Sequence, residues 1–83
     1  MNKDKEITII VNGREKTVQK NIELSFREVV ILAFGEPINE NTMFTVTYRK
    51  AHGDKPEGIL VEGSEPIKTK EGMIFNVTAT DKS

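Results

Sequence analysis

Apolar and polar residues alternate from Glu6 to Val11. Ile7, Ile9 and Val11 share one face, Thr8 and Ile10 the other. A period of two marks a half-buried strand. Asn12-Gly13 follows, a pair that favours a two-residue hairpin turn because both central residues need positive φ. Arg14 to Lys20 then returns as a second strand. The turn sets Val11 opposite Arg14, Ile9 opposite Lys16 and Ile7 opposite Val18. The expected core face is therefore Ile7, Ile9, Val11 and Val18. The opposite face carries Thr8, Glu15, Thr17 and Gln19, with Ile10 as its one aliphatic member.

The period changes after Leu24. Ser25-Phe26-Arg27-Glu28 has the spacing of a capping box, in which Ser25 and Glu28 each satisfy the other's backbone N–H. Leu24 and Val29 flank it as a hydrophobic staple. The helix is expected from Phe26 to about Phe34. Phe26, Val29, Val30 and Ala33 form a core-facing stripe, widened by Ile31, Leu32 and Phe34. Gly35 suits the position after the last turn, and Pro37 prevents continuation. So short a helix is marginal alone in water and must dock on a sheet.

Three more strands are expected. Met43 to Arg49 alternates Phe44, Val46 and Tyr48 against Thr45 and Thr47; Ile59-Leu60-Val61 is short; Met73 to Ala79 is the last. Gly53, Gly58, Gly63 and Gly72 read as turn residues between them. The order ββαβββ places one amphipathic helix over one face of one sheet. The first and last strands then lie side by side and parallel, with the helix in the crossover. That is an α+β, β-grasp arrangement: a mixed four- to five-stranded sheet with one helix packed across one face. A ferredoxin-like fold would need a second helix, and nothing after Thr42 has helical periodicity. The expected boundaries are a flexible N-terminus over residues 1–5, the domain over 6–79 and a C-terminal tail over 80–83.

Composition narrows the chemistry. The chain has 83 residues, no cysteine and one histidine, and its 12 basic and 13 acidic residues leave a formal charge of −1. Thiol catalysis, disulfides and a cysteine zinc site are excluded. The charges are interspersed, so no nucleic-acid footprint stands out. No apolar run approaches the ~20 residues that span a bilayer, and the polar start lacks a secretory apolar region. A cytoplasmic protein with no membrane partner and no cofactor is expected. His52 lies in a Gly/Asp/Pro-rich turn with no second ligand, which argues for a solvated loop rather than a metal or general-base role. Arg49, Lys50 and Lys55 form a small basic edge, suited either to an acidic partner or simply to keeping a strand edge solvated.

Four stretches, 25–35, 44–48, 55–63 and 70–80, resemble the bacterial multi-ubiquitin domain family, and the likeness extends over roughly Ile7 to Ser83. The resemblance implies a ubiquitin-like protein from an operon encoding an E1-like adenylating protein, an E2-like protein and a processing or deconjugating peptidase, with target proteins as further partners. It places the working group near the C-terminal carboxylate, in Thr80, Asp81, Lys82 and Ser83. These residues depart from the di-glycine pattern of conjugated tails. Either Ser83 is itself adenylated, or a peptidase trims the tail, or the domain is never conjugated. A frayed polar end is the plainer reading.

A second candidate is the sheet face away from the helix, where ubiquitin-like domains bind partners. Ile10 is the best single residue by pattern; Tyr48 and Met73 are further candidates whose facing the pattern leaves open. A lone surface aliphatic needs no functional account. Three functions follow. A modifier joined to targets by an E1/E2-like cascade accords with the resemblance. A non-conjugated interaction module within a larger complex accounts for the missing Gly-Gly. A sulfur carrier would need a terminal glycine, which the sequence lacks. An enzyme is not expected, because no nucleophile–base pair or carboxylate pair at catalytic spacing is present.

Overall fold

The computed structural model describes residues 5–36, 38, 41–51, 53–54 and 56–81. Seven strands and one helix follow in order: β1 (Glu6–Val11), β2 (Arg14–Gln19), β3 (Glu23–Leu24), α1 (Phe26–Phe34), β4 (Thr42–Arg49), β5 (Gly58–Leu60), β6 (Ile67–Lys68) and β7 (Ile74–Asp81). The main sheet has five strands in the order β2-β1-β7-β4-β5. β1 runs parallel to β7, and the other neighbouring pairs are antiparallel. α1 packs across one face. This is the β-grasp arrangement expected from the element order.

The first hairpin has the register that its turn dictates: Ile7 pairs with Val18, Ile9 with Lys16 and Val11 with Arg14. Asn12 and Gly13 both take positive φ, 53° and 80°, as the mirror-image turn requires. Ile7, Ile9 and Val11 are buried, and Val18 packs partly buried against them.

α1 begins where the capping box sets it. The Glu28 N–H donates to Ser25 Oγ at 3.2 Å, and the Ser25 N–H donates to Glu28 Oε1 at 2.9 Å. Its end is set by Gly35, at φ 86°, whose N–H donates to the Ile31 carbonyl at 2.7 Å. Val29 and Val30 are its buried residues, while Phe26, Leu32 and Ala33 are half-buried beside them. Beneath lie Val46 of β4, Leu60 of β5, and Met73, Phe75 and Val77 in and before β7. These apolar side chains leave water together, which is the main force holding helix to sheet.

Several strand boundaries differ from expectation. β7 begins at Ile74 and continues through Thr80 and Asp81, which pair with Met43 and Thr42. The first two residues of the expected tail are thus ladder residues. Backbone pairing needs no apolar side chain, so the polar end concealed it. Lys82 and Ser83 lie outside the described residues, as do Pro37, His52 and Lys55. At the other end, the Lys5 carbonyl accepts from the Lys20 N–H at 2.8 Å, drawing Lys5 into the first hairpin. Gly58 is the first residue of β5 rather than a turn residue.

β3 and β6 form a separate two-stranded sheet, pairing Glu23 with Lys68 and Leu24 with Ile67. Thr69 ties it down: its N–H and its hydroxyl both donate to the Ile22 carbonyl, at 3.0 and 2.8 Å. Two-residue strands are too short to show a period, so the sequence carries no alternation that marks them.

Candidate functional site

The face of the main sheet away from α1 is built by strand register. Ile9 and Val11 point to the core, so Ile10 points outward; Phe75 and Val77 point to the core, so Ile74 and Asn76 point outward. The parallel pairing of β1 with β7 sets Ile10 beside Ile74. Ile10 also pairs with Glu15 of β2, and Ile74 with Arg49 of β4. One row of the outer face therefore reads Glu15, Ile10, Ile74, Arg49 across four strands. Both isoleucines are half-buried and both charged residues exposed. Further along, Thr47 pairs with Asn76 and Thr45 with Thr78, giving a threonine-rich surface. An aliphatic pair between a carboxylate and a guanidinium can dock another protein.

Two of the three candidates for this face lie elsewhere. Met73 is fully buried, 0% exposed, with the helix-facing side chains. Gly72, at φ 82°, turns the chain just before it, and the Met73 N–H donates to the Lys70 carbonyl at 2.9 Å. Tyr48 shares the parity of Val46, which is buried, and its ring packs 6.4 Å from that of Phe75 on the core side. Ile10 alone of the three faces outward. Ile74 is the neighbour that the sequence reading missed. Met73-Ile74-Phe75 is a continuous apolar run, and only the register with β1 distinguishes its inner from its outer members.

Thr80 and Asp81 sit at the far end of this sheet, opposite Met43 and Thr42. Residues Ile10 and Thr80 are thus on the same sheet but not in one cluster. Among the described residues, no group of three or more His, Cys, Asp or Glu side chains is gathered to hold a metal ion, and no helix is long and apolar enough to cross a membrane.

A five-stranded mixed sheet with a single capped helix across it, and its first and last strands parallel neighbours, defines a ubiquitin-like domain. The family model for multiubiquitin matches residues 7–81. The chain belongs to that family. Searches of curated proteins and of solved structures found no match.

Proposed function

We propose that this chain is a ubiquitin-like protein modifier, the substrate of a bacterial E1/E2-like cascade that acts on its C-terminal carboxylate, directly or after a peptidase trims the tail. Membership of the multiubiquitin family over residues 7–81 supports this reading most strongly. In such a cascade a carboxylate oxygen of the chain attacks the α-phosphorus of ATP and pyrophosphate leaves. A thiol of the E1-like protein then displaces AMP, and the acyl group passes by way of the E2-like protein to an amine of the target. The domain contributes the carboxylate and the surfaces its partners hold, and no catalytic side chain. The row from Glu15 to Arg49 is the natural docking face on the sheet. The setting of such a cascade is cytoplasmic.

A second reading, a non-conjugated interaction module, draws support from one observation. Thr80 and Asp81 are held in the β4–β7 ladder, whereas a residue entering an adenylation channel must leave it. Intact mass after incubation with ATP and the E1-like and E2-like proteins separates the two. A covalent adduct through Ser83, or through a trimmed end within residues 79–82, is expected of a modifier. An unchanged mass with co-elution of the proteins would replace it with the second reading.

A further inference from the structure

The strand β4 is longer than its neighbour β5, and the difference leaves an open backbone edge. β5 pairs only with Val46 to Tyr48. It leaves the ladder after Leu60, where the Ser64 N–H and hydroxyl both turn back to the Val61 carbonyl, at 3.1 and 2.6 Å. Which groups this exposes follows from the other side of the sheet. The Ile10 N–H donates to the Met73 carbonyl, the Asn12 N–H to the Phe75 carbonyl, and both backbone groups of Val77 meet the Asn12 side chain. Odd-numbered residues of this segment therefore face β1. Residues along a strand alternate in direction, so Ile74, Asn76, Thr78 and Thr80 face β4. Their partners there are Arg49, Thr47, Thr45 and Met43. Thr42, Phe44, Val46 and Tyr48 must then face away from β7. Val46 and Tyr48 meet Leu60 and Gly58, but beside Thr42 and Phe44 there is no strand among the described residues.

A groove of about 570 Å³ runs along this edge, walled by Phe26, Ile38 and Leu60 on the helix side and by Met43 and Ile59 on the outer side. The large apolar residues left most exposed gather around it. Met43 is 56%, Ile59 66% and Val61 54% exposed, and all three line it; Phe34, 53% exposed, lines an adjoining hollow that shares Ile38, Thr42 and Phe44. Arg27, in the first turn of α1, lines the helix wall, and Glu62 the wall beyond β5. Glu28 is occupied by its cap, and Arg27 has no ion pair among the described residues.

We propose that this notch binds an extended segment of a partner protein, which adds to β4 as a short strand at Thr42 and Phe44. The segment is apolar at alternate positions and carries a carboxylate that meets Arg27. Free N–H and C=O groups on a strand edge are complementary to another extended backbone and to little else. The Arg27 guanidinium, without an ion pair among the described residues, favours an acidic segment over a second copy of this chain: β2, the full-length edge a copy would offer, carries Arg14 and Lys16 on its helix side and Glu15 on the opposite face, so the side that would meet Arg27 is basic. This surface is separate from the outer-face row and from the carboxylate, and it does not depend on conjugation.

Two capped seven-residue peptides test the assignment, both alternating isoleucine and threonine, one flanked by aspartate and the other by lysine. With the isotope-labelled whole chain, the aspartate peptide should shift and protect the backbone amides of Thr42 and Phe44. It should bind about two- to fivefold more tightly than the lysine peptide, the ratio one exposed charge pair supplies. Arg27→Glu should reverse that preference, and Ile59→Lys should weaken both peptides. Both positions are exposed, and if either variant fails to fold, the two-peptide comparison on the unaltered chain still decides. Shifts centred on β2 or on Ile10 and Ile74, or no shift at millimolar peptide, would overturn the proposal. So would protection of the Thr42 and Phe44 amides that grows with protein concentration alone, which would place a second copy in the notch.

Discussion

The side-chain amide of Asn12 pairs with both backbone groups of Val77: its Nδ2 donates to the Val77 carbonyl at 3.1 Å, and its Oδ1 accepts from the Val77 N–H at 2.7 Å. The Asn12 N–H meanwhile donates to the Phe75 carbonyl at 3.0 Å. One residue thus turns the first hairpin at positive φ and extends the β1–β7 ladder by one rung, its amide standing in for a peptide unit. Hairpin geometry and the longest-range strand pairing of the fold meet at this residue. Asparagine is suited to both, because it tolerates the left-handed region and carries a donor and an acceptor.

Substitution at Asn12 should separate the two roles. Asn12→Gly keeps the turn but leaves Val77 without its rung, and should cost about 1–3 kcal/mol, the penalty for unpaired backbone groups away from water. Asn12→Ala adds left-handed strain of about 1–2 kcal/mol to that loss. Asn12→Asp retains the acceptor for the Val77 N–H but sets a carboxylate against the Val77 carbonyl, so it should also destabilise. Urea unfolding of the three variants provides the comparison. A glycine variant as stable as the parent would mean that the rung contributes nothing.

Gly58 faces Tyr48 directly across β4 and β5. A Cβ built on Gly58 would stand 2.6 Å from Tyr48 Oη and 2.9 Å from its Cζ. The ring therefore covers the glycine, an arrangement that offsets the lost side chain with aromatic surface. Gly58→Ala should cost about 1–3 kcal/mol through overpacking. The same change in a Tyr48→Thr background should cost far less, and the double-mutant cycle measures the coupling. Equal costs in the two backgrounds would show that the ring moves aside freely.

Three substitutions test the helix. Ser25→Ala removes the hydroxyl that caps Glu28 and should cost about 0.5–2 kcal/mol. Val30→Ala, at a residue 1% exposed, should cost at least ~1 kcal/mol by opening a cavity against the sheet. Phe34→Ala removes a larger side chain but one that is 53% exposed, with its ring 5.7 Å from that of Phe44, so it should cost less per atom removed. Thermal or urea unfolding ranks the three. A neutral Val30→Ala would place the wrong face of the helix against the core.

The first hairpin and the helix were legible because each carries its own punctuation. Asn12-Gly13 pins a register to a single residue, and the Ser25 and Glu28 pair marks a helix start independently of tertiary contacts. Facing in the later strands was not legible. Phe44, Val46 and Tyr48 do share a side, as their alternation shows, but nothing local says that this side is the core. Met73-Ile74-Phe75 offers an apolar side chain to both faces, so the inner and outer members emerge only from pairing with β1. The Ile10–Ile74 contact joins residues far apart in the chain, and no pattern within either segment encodes it. The open edge at Thr42 and Phe44 depends on where β5 departs, which the turn at Val61 to Ser64 decides and apolar spacing does not.

Thr80 connects the fold to the proposed activity. It faces β4 and pairs with Met43 at the penultimate rung of the ladder, and beyond Val77 no strand pairs with β7 on its β1 side among the described residues. This end of β7 is held by one neighbour only, so it is the part of the strand that can peel at least cost. Thr80→Pro removes the N–H that the rung uses and disfavours the extended pairing. It should lower stability by about 1 kcal/mol or less, since terminal rungs fray. If entry to an adenylation site requires the end of β7 to leave β4, the same variant should form the adduct with the E1-like protein faster than the parent. Initial rates of adenylate formation, followed by pyrophosphate release, measure this directly. A slower rate with unchanged stability would instead mean that the E1-like protein grips the paired strand, and that the ladder to Asp81 is part of what it recognises.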